Sequence, residues 1–143
     1  MGKSDRDIPE FDVKNGDNAL EVHIPAGDRL DICECEKSFA AAKEFFAKYF
    51  PDFKYTVFTC HSWLLDPTLK KYLSENSNII KFGDTWTRIA NDDSNALISY
   101  IFSWDANEEN LSDMTPPSNF AKRVKDAILG GETFHETLGV IKA

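Results

Sequence analysis

The sequence predicts an α/β (α+β) chain, a mixed sheet flanked by helices, in the order β-α-β-α-(α)-β-α-β. Three observations predict it. Strand-like alternation and helix-like periodicity take turns along the chain, the pattern of a sheet covered by helices. Turn and capping residues fall between those segments. The 143 residues, 42% hydrophobic and 28% charged, suit one domain that buries roughly 68–70% of its unfolded surface. Eleven Phe and three Trp supply the bulk of its core.

Residues 1–17 are polar, with Gly16-Asp17 as a turn signal. They read as a mobile lead-in or linker, leaving 18–143 as the domain. Ala19 to Ile24 alternates, with Leu20, Val22 and Ile24 on one face and Glu21 and His23 on the other, as a half-buried strand does. Pro25-Ala26-Gly27-Asp28 ends it. From 34 to 50, Phe39, Ala42, Phe46, Tyr49 and Phe50 recur at helical spacing until Pro51. Tyr55 to Cys60 is continuously apolar and reads as a central strand. Asp66-Pro67 is an N-cap followed by proline at the first helical position, so Thr68 to Leu73 reads as a short helix.

A second helix follows Ser77-Asn78 and carries Ile79, Ile80 and Phe82. Thr85 to Ile89 reads as a short strand and Asn91 to Asn95 as a turn. Ala96 to Trp104 is almost wholly apolar, and its β-branched and aromatic content predicts a buried strand. Residues 105–117 form an acidic loop ending in Pro116-Pro117. Phe120, Val124, Ala127 and Ile128 mark a helix stopped by Gly130-Gly131. Phe134 to Ile141 is the last strand, with Gly139 inside it as a bulge signal.

The net charge of −8 argues against nucleic-acid binding, since a phosphate backbone would be repelled. The local basic cluster Lys122-Arg123…Lys125 reads as a solvated helix face. The chain contains no apolar run near 18 residues, so no membrane span is expected. The charged stretch Met1–Asp7 is no signal peptide, and Arg6 breaks a myristoylation motif. A cytoplasmic protein is the expectation. Cys33, Cys35, Cys60 and His61 are zinc-ligand types, but their spacing matches no usual pattern, so no metal and reduced structural thiols are expected.

Two signatures carry a resemblance. Leu20-Glu21-Val22-His23-Ile24-Pro25-Ala26-Gly27 and His61-Ser62-Trp63-Leu64-Leu65-Asp66-Pro67-Thr68-Leu69 resemble signatures of the GNAT-like C-terminal domain, the second half of two-part bacterial acyltransferase-like proteins. Ser77-Asn78-Ile79 and the segment from Phe120 to Gly139-Val140 are similar to further parts of that family, so the resemblance covers about residues 18–143. It implies a GNAT-like fold and an acyl-CoA or acetyl-CoA co-substrate, bound in a splayed gap between strands. In such folds backbone amides at a helix start hold the pyrophosphate, and a base deprotonates an amine acceptor. The glycine-containing pyrophosphate turn of such enzymes is absent here, because Gly130-Gly131 ends a helix rather than opening one. The family's N-terminal partner domain is also absent from this sequence.

His61 is the main catalytic candidate. It follows a central strand, and imidazole titrates near neutrality, as a general base must. The alternative is a histidine that locks its loop to the backbone. Glu21 and His23, two apart on one strand, share a face and form either an oriented base pair or a wet strand surface. Ser62 and Trp63 are candidate substrate-binding residues, with packing under the loop as the rival role for Trp63. Ser62 lacks a G-x-S-x-G elbow, and Cys60 in an apolar strand would be inert, so neither reads as a nucleophile. Asp66 reads as a cap. The acidic loop with Asp105, Glu108, Glu109 and Asp113 is either solvated surface or an attraction for a cationic acceptor.

These residues suggest an acyltransferase-related domain acting on a small-molecule amine. Its rival is a non-catalytic ligand-binding or interaction half that needs an N-terminal partner domain or a homodimer. A serine hydrolase using Ser62 is the weakest reading.

Overall fold

A computed structural model describes residues 1–143. Strands β1 (Gly2–Lys3), β2 (Asn18–Glu21), β3 (Val57–Ser62), β4 (Thr87–Asp93) and β5 (His135–Lys142) form one sheet in the order β1-β2-β3-β5-β4. β2 runs parallel to β3, and the other pairs are antiparallel. The helices are α1 (Ile32–Tyr49), α2 (Asn78–Asp84), α3 (Leu97–Ile101) and α4 (Asn119–Leu129).

β3 is the middle strand, as its apolar run requires, and its alternation serves two cores. Phe58 and Cys60 pack beneath α1, while Val57 packs with Ile8, Val13, Ala19 and Val140 on the opposite face. α1 starts where Asp31 accepts a hydrogen bond from the Glu34 amide at 3.1 Å. It lays Ile32, Cys35, Phe39, Ala42 and Phe46 toward the sheet at steps of three and four. Phe39 lies 5.2 Å from Phe58 and stands edge-on to Trp86 at 6.0 Å. A third cluster, with Leu69, Leu97, Ile98, Leu111, Val124 and Phe134 buried, fills the space under α3 and α4.

Five expectations need correction. Residues 1–17 are not a free lead-in: β1 pairs with β2, Ile8 bridges Val13, and both of those side chains are buried against the sheet. Two apolar residues in a polar stretch suffice to anchor it. Ala96 to Trp104 is not a strand. Leu97 and Ile98 are buried with Ile101 and Phe102 packed beside them, the i, i+1, i+4, i+5 pattern of a helix, while Tyr100 and Trp104 face solvent.

Asn91 to Asp93 is not a turn but the end of edge strand β4, paired with Thr137, Glu136 and His135. Exposed edge positions tolerate such polar residues. Finally, the irregularity expected at Gly139 lies across from it on β4, between Arg88 and Ala90. Gly139 has a different cause: a β-carbon there would fall 2.7 Å from Trp86 Cβ and strike Leu65. The expected helix after Asp66 is a 3-10 turn over Pro67–Lys71.

Candidate functional site

β2 and β3 pair at only two positions, Leu20 with Phe58 and Glu21 with Thr59. After the Val22 amide donates to Thr59 O at 2.8 Å, the chain turns away into the loop 23–31. The end of β3, from Cys60 to Ser62, therefore borders an open gap. Two adjoining cavities occupy it. One, of about 350 Å³, lies under Lys3–Ile8 and is lined by Glu21, His23, Thr59, His61 and Leu138. The other, of about 470 Å³, lies between the loop Ala26–Leu30 and the end of β3. His23 and His61 line it too, with Ile24, Ser62, Trp63, Ile79, Tyr100 and Glu136.

The structure thus brings all five expected site residues to one gap. Strand alternation explains how: Glu21, His23 and His61 project from the same face because β2 and β3 run parallel and in register. Each imidazole has a carboxylate beside it. His23 Nε2 is 3.5 Å from Glu21 Oε2, and His61 Nε2 is 3.3 Å from Asp92 Oδ2. The His23 side chain is 87% exposed and that of His61 45%. His61 and Ser62 are the last two residues of β3, not the first residues after it, and they pair with Leu138 and Thr137.

Ser62 also caps the 3-10 turn Trp63–Leu65, its hydroxyl accepting from the Leu64 amide at 3.1 Å. Trp63 lies 6.2 Å from Tyr100, and together they wall the larger cavity. Cys60 touches that cavity, but burial pushes its thiol up to about 12, so it carries no thiolate near neutrality. Cys33 and Cys35 sit on α1 and Cys60 on β3, and no group of three or more potential ligands is placed to hold a metal ion.

Sequence reading missed Asp92, Glu136 and Tyr100, because the first was read as turn and the last as strand. It also missed His135. That histidine anchors Asp66, whose side chain is 1% exposed. Asp66 accepts from the Thr68 amide at 2.9 Å and from the His135 amide at 2.7 Å, and its Oδ1 is 3.1 Å from His135 Nδ1. A carboxylate only accepts, so Nδ1 carries the proton. Asp66 is the expected cap and, beyond that, a strut tying the loop after β3 to the start of β5. Arg88 supports the same loop, its Nε donating to Leu65 O at 2.7 Å.

The family model for the GNAT-like C-terminal domain matches residues 2–141. The chain belongs to this family. Among solved structures it is similar to an acyltransferase in complex with decanoyl-CoA, with 29% identity and a TM-score of 0.77 over 89% of this chain and 40% of that one. It is also similar to an acyltransferase in complex with decanoyl-CoA and teicoplanin (27% identity, TM-score 0.78, 89% and 41% covered). A third similar structure is an acyltransferase in complex with CoA and 10C-Teicoplanin (28%, 0.78, 89% and 41%). The GNAT-like domain described here spans about 40% of the length of those acyltransferases. No curated protein matches the chain.

Within this family the splayed β2–β3 gap is where a coenzyme A pyrophosphate would be sought, on the amides that open α1. One of those amides is already taken and carboxylates crowd the turn, while the Ile32 and Cys33 amides have no hydrogen-bond partner. Asp31 already occupies the Glu34 amide, Asp28 Oδ1 accepts from the Leu30 amide at 2.7 Å, and Glu34 adds a third carboxylate in the first turn. Their field is felt locally: burial first, then Asp28, Asp31 and Glu34, raise the Cys35 thiol above its ordinary value. No helix of the chain is long and apolar enough to cross a membrane.

Proposed function

We propose that this chain is the GNAT-like half of an N-acyltransferase that moves an acyl group from acyl-CoA to a small-molecule amine. The observation that carries the proposal is the gap between β2 and β3, where His61, His23 and Glu21 converge beside an aromatic-walled cavity. The solved acyltransferases it resembles, which carry acyl-CoA or CoA, add support.

His61 acts as the base, with Glu21 and His23 as its neighbours across the gap. The amine nitrogen attacks the thioester carbonyl, the new C–N bond forms and the C–S bond breaks. The proton lost by the amine passes to His61, and the coenzyme A thiolate leaves. Ser62 and Trp63 line the substrate cavity. Asp92, whose Oδ2 lies 3.3 Å from His61 Nε2, favours the imidazolium that forms.

A second reading is favoured by one observation, the carboxylates at the start of α1. It holds that this chain does not complete the donor site alone and works with an N-terminal partner domain or a second copy. We place the protein in the cytoplasm, on the strength of its three unpaired cysteines. Residues 1–17 and 18–143 act as one unit, with the first segment roofing the smaller cavity.

The test is to incubate the gene product that carries this chain with decanoyl-CoA and primary amines and to measure N-acylated product by mass spectrometry. Amine-dependent product is the expected result. Its absence for every amine, with coenzyme A thioester intact, would refute the proposal.

A further inference from the structure

Strand β4 lies at an open edge of the sheet, yet its last residues are held from both faces. We infer that Thr137 and His135, on the face of β5 turned away from His61, are positioning residues for His61: they clasp the end of β4, and β4 sets Asp92 against the imidazole. The inference rests on the acyl-transfer reading of His61 and adds how the carboxylate beside that ring is kept in place.

The register of β4 divides the work between the two faces. Thr87 and Arg88 pair with Val140 and Gly139; after one extra residue, Ala90 to Asp93 pair with Leu138 to His135. A shift of one residue exchanges the faces of a strand. The extra residue therefore puts Ala90 and Asp92 on the face of Leu138 and His61, and Asn91 and Asp93 on the other. On the first face Asp92 Oδ2 lies 3.3 Å from His61 Nε2. Asp92 also stands directly opposite Glu136, and like charges so placed push an edge strand away.

The contacts that oppose this push lie on the second face. Thr137 is wholly buried, and its hydroxyl donates to Asn91 Oδ1 at 2.6 Å. A buried hydroxyl holds its partner because losing it leaves an unpaired polar group. His135 Nε2 lies 3.3 Å from Asp93 Oδ1. Its Nδ1 is committed to Asp66, so the Asp93 contact is a hydrogen bond only for the doubly protonated ring. Just past the strand, the Ser94 amide donates to Phe134 O at 2.8 Å and the Phe134 amide to Asn95 Oδ1 at 2.9 Å, which fixes where the chain leaves.

His61 faces Asp92 from β4 and shares cavity walls with Glu136 from β5 and with Glu21 and His23 from β2. Lys3, Asp5 and Arg6 of the N-terminal segment complete the charges there. His135 faces Asp66, Asp93 and Glu132. Loss of the His135 cation acts on His61 in two opposite directions. Through space it removes a positive charge and favours the His61 imidazolium. Through β4 it loosens Asp92 and disfavours that imidazolium. The sign of the change at His61 separates a clasp from a distant charge.

The imidazole Hε1 resonances of the purified chain are followed by NMR against pH in the parent and in Asp92→Asn, Thr137→Val, Thr137→Ser and His135→Ala. In Asp92→Asn, His61 should titrate about 0.3 pH units lower than in the parent. Thr137→Val changes no charge and should move His61 the same way by at least about half as much. His135→Ala should also lower it. Thr137→Ser keeps the hydroxyl and should keep the parent curve. His23, whose partner Glu21 lies on β2, should stay in place in all four.

An unmoved His61 in Asp92→Asn or in Thr137→Val would overturn the clasp. So would a His61 that titrates higher in His135→Ala, the result of a distant charge alone. Absence of N-acylated product from the parent gene product, with the NMR shifts as expected, would instead remove the acyl-transfer reading and leave the clasp standing.

Discussion

Asp66→Ala is the perturbation whose cost the structure specifies most fully. It deletes a carboxylate, 1% exposed, that accepts from the Thr68 amide, the His135 amide and His135 Nδ1. Loss of the cap costs about 1 kcal/mol. The His135 amide, directed at the carboxylate from a half-buried strand end, is left unpaired at about 1–3 kcal/mol. Part of this is recovered where His135 Nδ1 turns to Thr68 Oγ1, which lies 3.3 Å away. The net loss is about 3 kcal/mol. With about 2.1 cal/mol/K per residue, 143 residues give an unfolding entropy near 0.3 kcal/mol/K, so Tm should fall by about 10 °C.

Asp66→Asn keeps one acceptor oxygen and should fall by about half as much. His135→Ala keeps the amide bond and should cost about 1 kcal/mol. Differential scanning calorimetry on the three variants reads all of these. A drop under about 3 °C for Asp66→Ala would refute the strut.

Three further outcomes follow from local contacts. Gly139→Ala should destabilise by about 2–3 kcal/mol in denaturant melts, since its new methyl meets Trp86 and Leu65; a neutral result would mean the sheet relaxes freely there. In the folded protein a thiol reagent should titrate exposed Cys33 and spare Cys60, which reacts only on unfolding. Because burial raises the Cys60 thiol to about 12, the unfolded state ionises first, and stability should decline as pH rises from about 9 toward 12. Cys60→Ala should flatten that decline.

Hydrogen bonding from Lys70, then from Arg88, holds the Asp84 carboxyl below its ordinary value. Its stabilisation is present above pH about 4 and is lost as pH falls through the lowered value. The group is half exposed, so the effect stays under about 1 kcal/mol. Asp84→Asn and the parent should therefore differ at pH 6 and converge near pH 2; a constant gap would refute the pairing.

The sequence made the scaffold legible where a single periodicity ruled. α1, α4, β3 and β5 carry clean spacing, and Pro51 and Gly130-Gly131 mark the ends of the two long helices. It failed where the periodic signal was short or where partners decide the outcome. The mostly apolar stretch Ala96–Trp104 around α3 fits a strand as well as a helix until the third core takes Leu97 and Ile98 on one side. Asn91-Asp92-Asp93 looks like a turn, yet the edge of the sheet beside β5 accepts it.

The site shows the same division. Alternation already put Glu21 and His23 on one face. Their meeting with His61 depends on the parallel register of Leu20 with Phe58, which no local pattern encodes. The Asp66–His135 contact spans 69 positions, so only the fold could reveal it.

The central claim is that the β2–β3 gap takes a proton from an amine during acyl transfer. The pH dependence of kcat/KM for N-acylation, compared between the parent and His61→Gln, tests it most directly. The parent should show an acid limb of the imidazole type. His61→Gln should lose that limb and about 100-fold or more in rate, while Tm moves by no more than about 2 °C because the ring is 45% exposed. An unchanged pH profile in His61→Gln, or a rate loss accompanied by a large fall in Tm, would contradict the account.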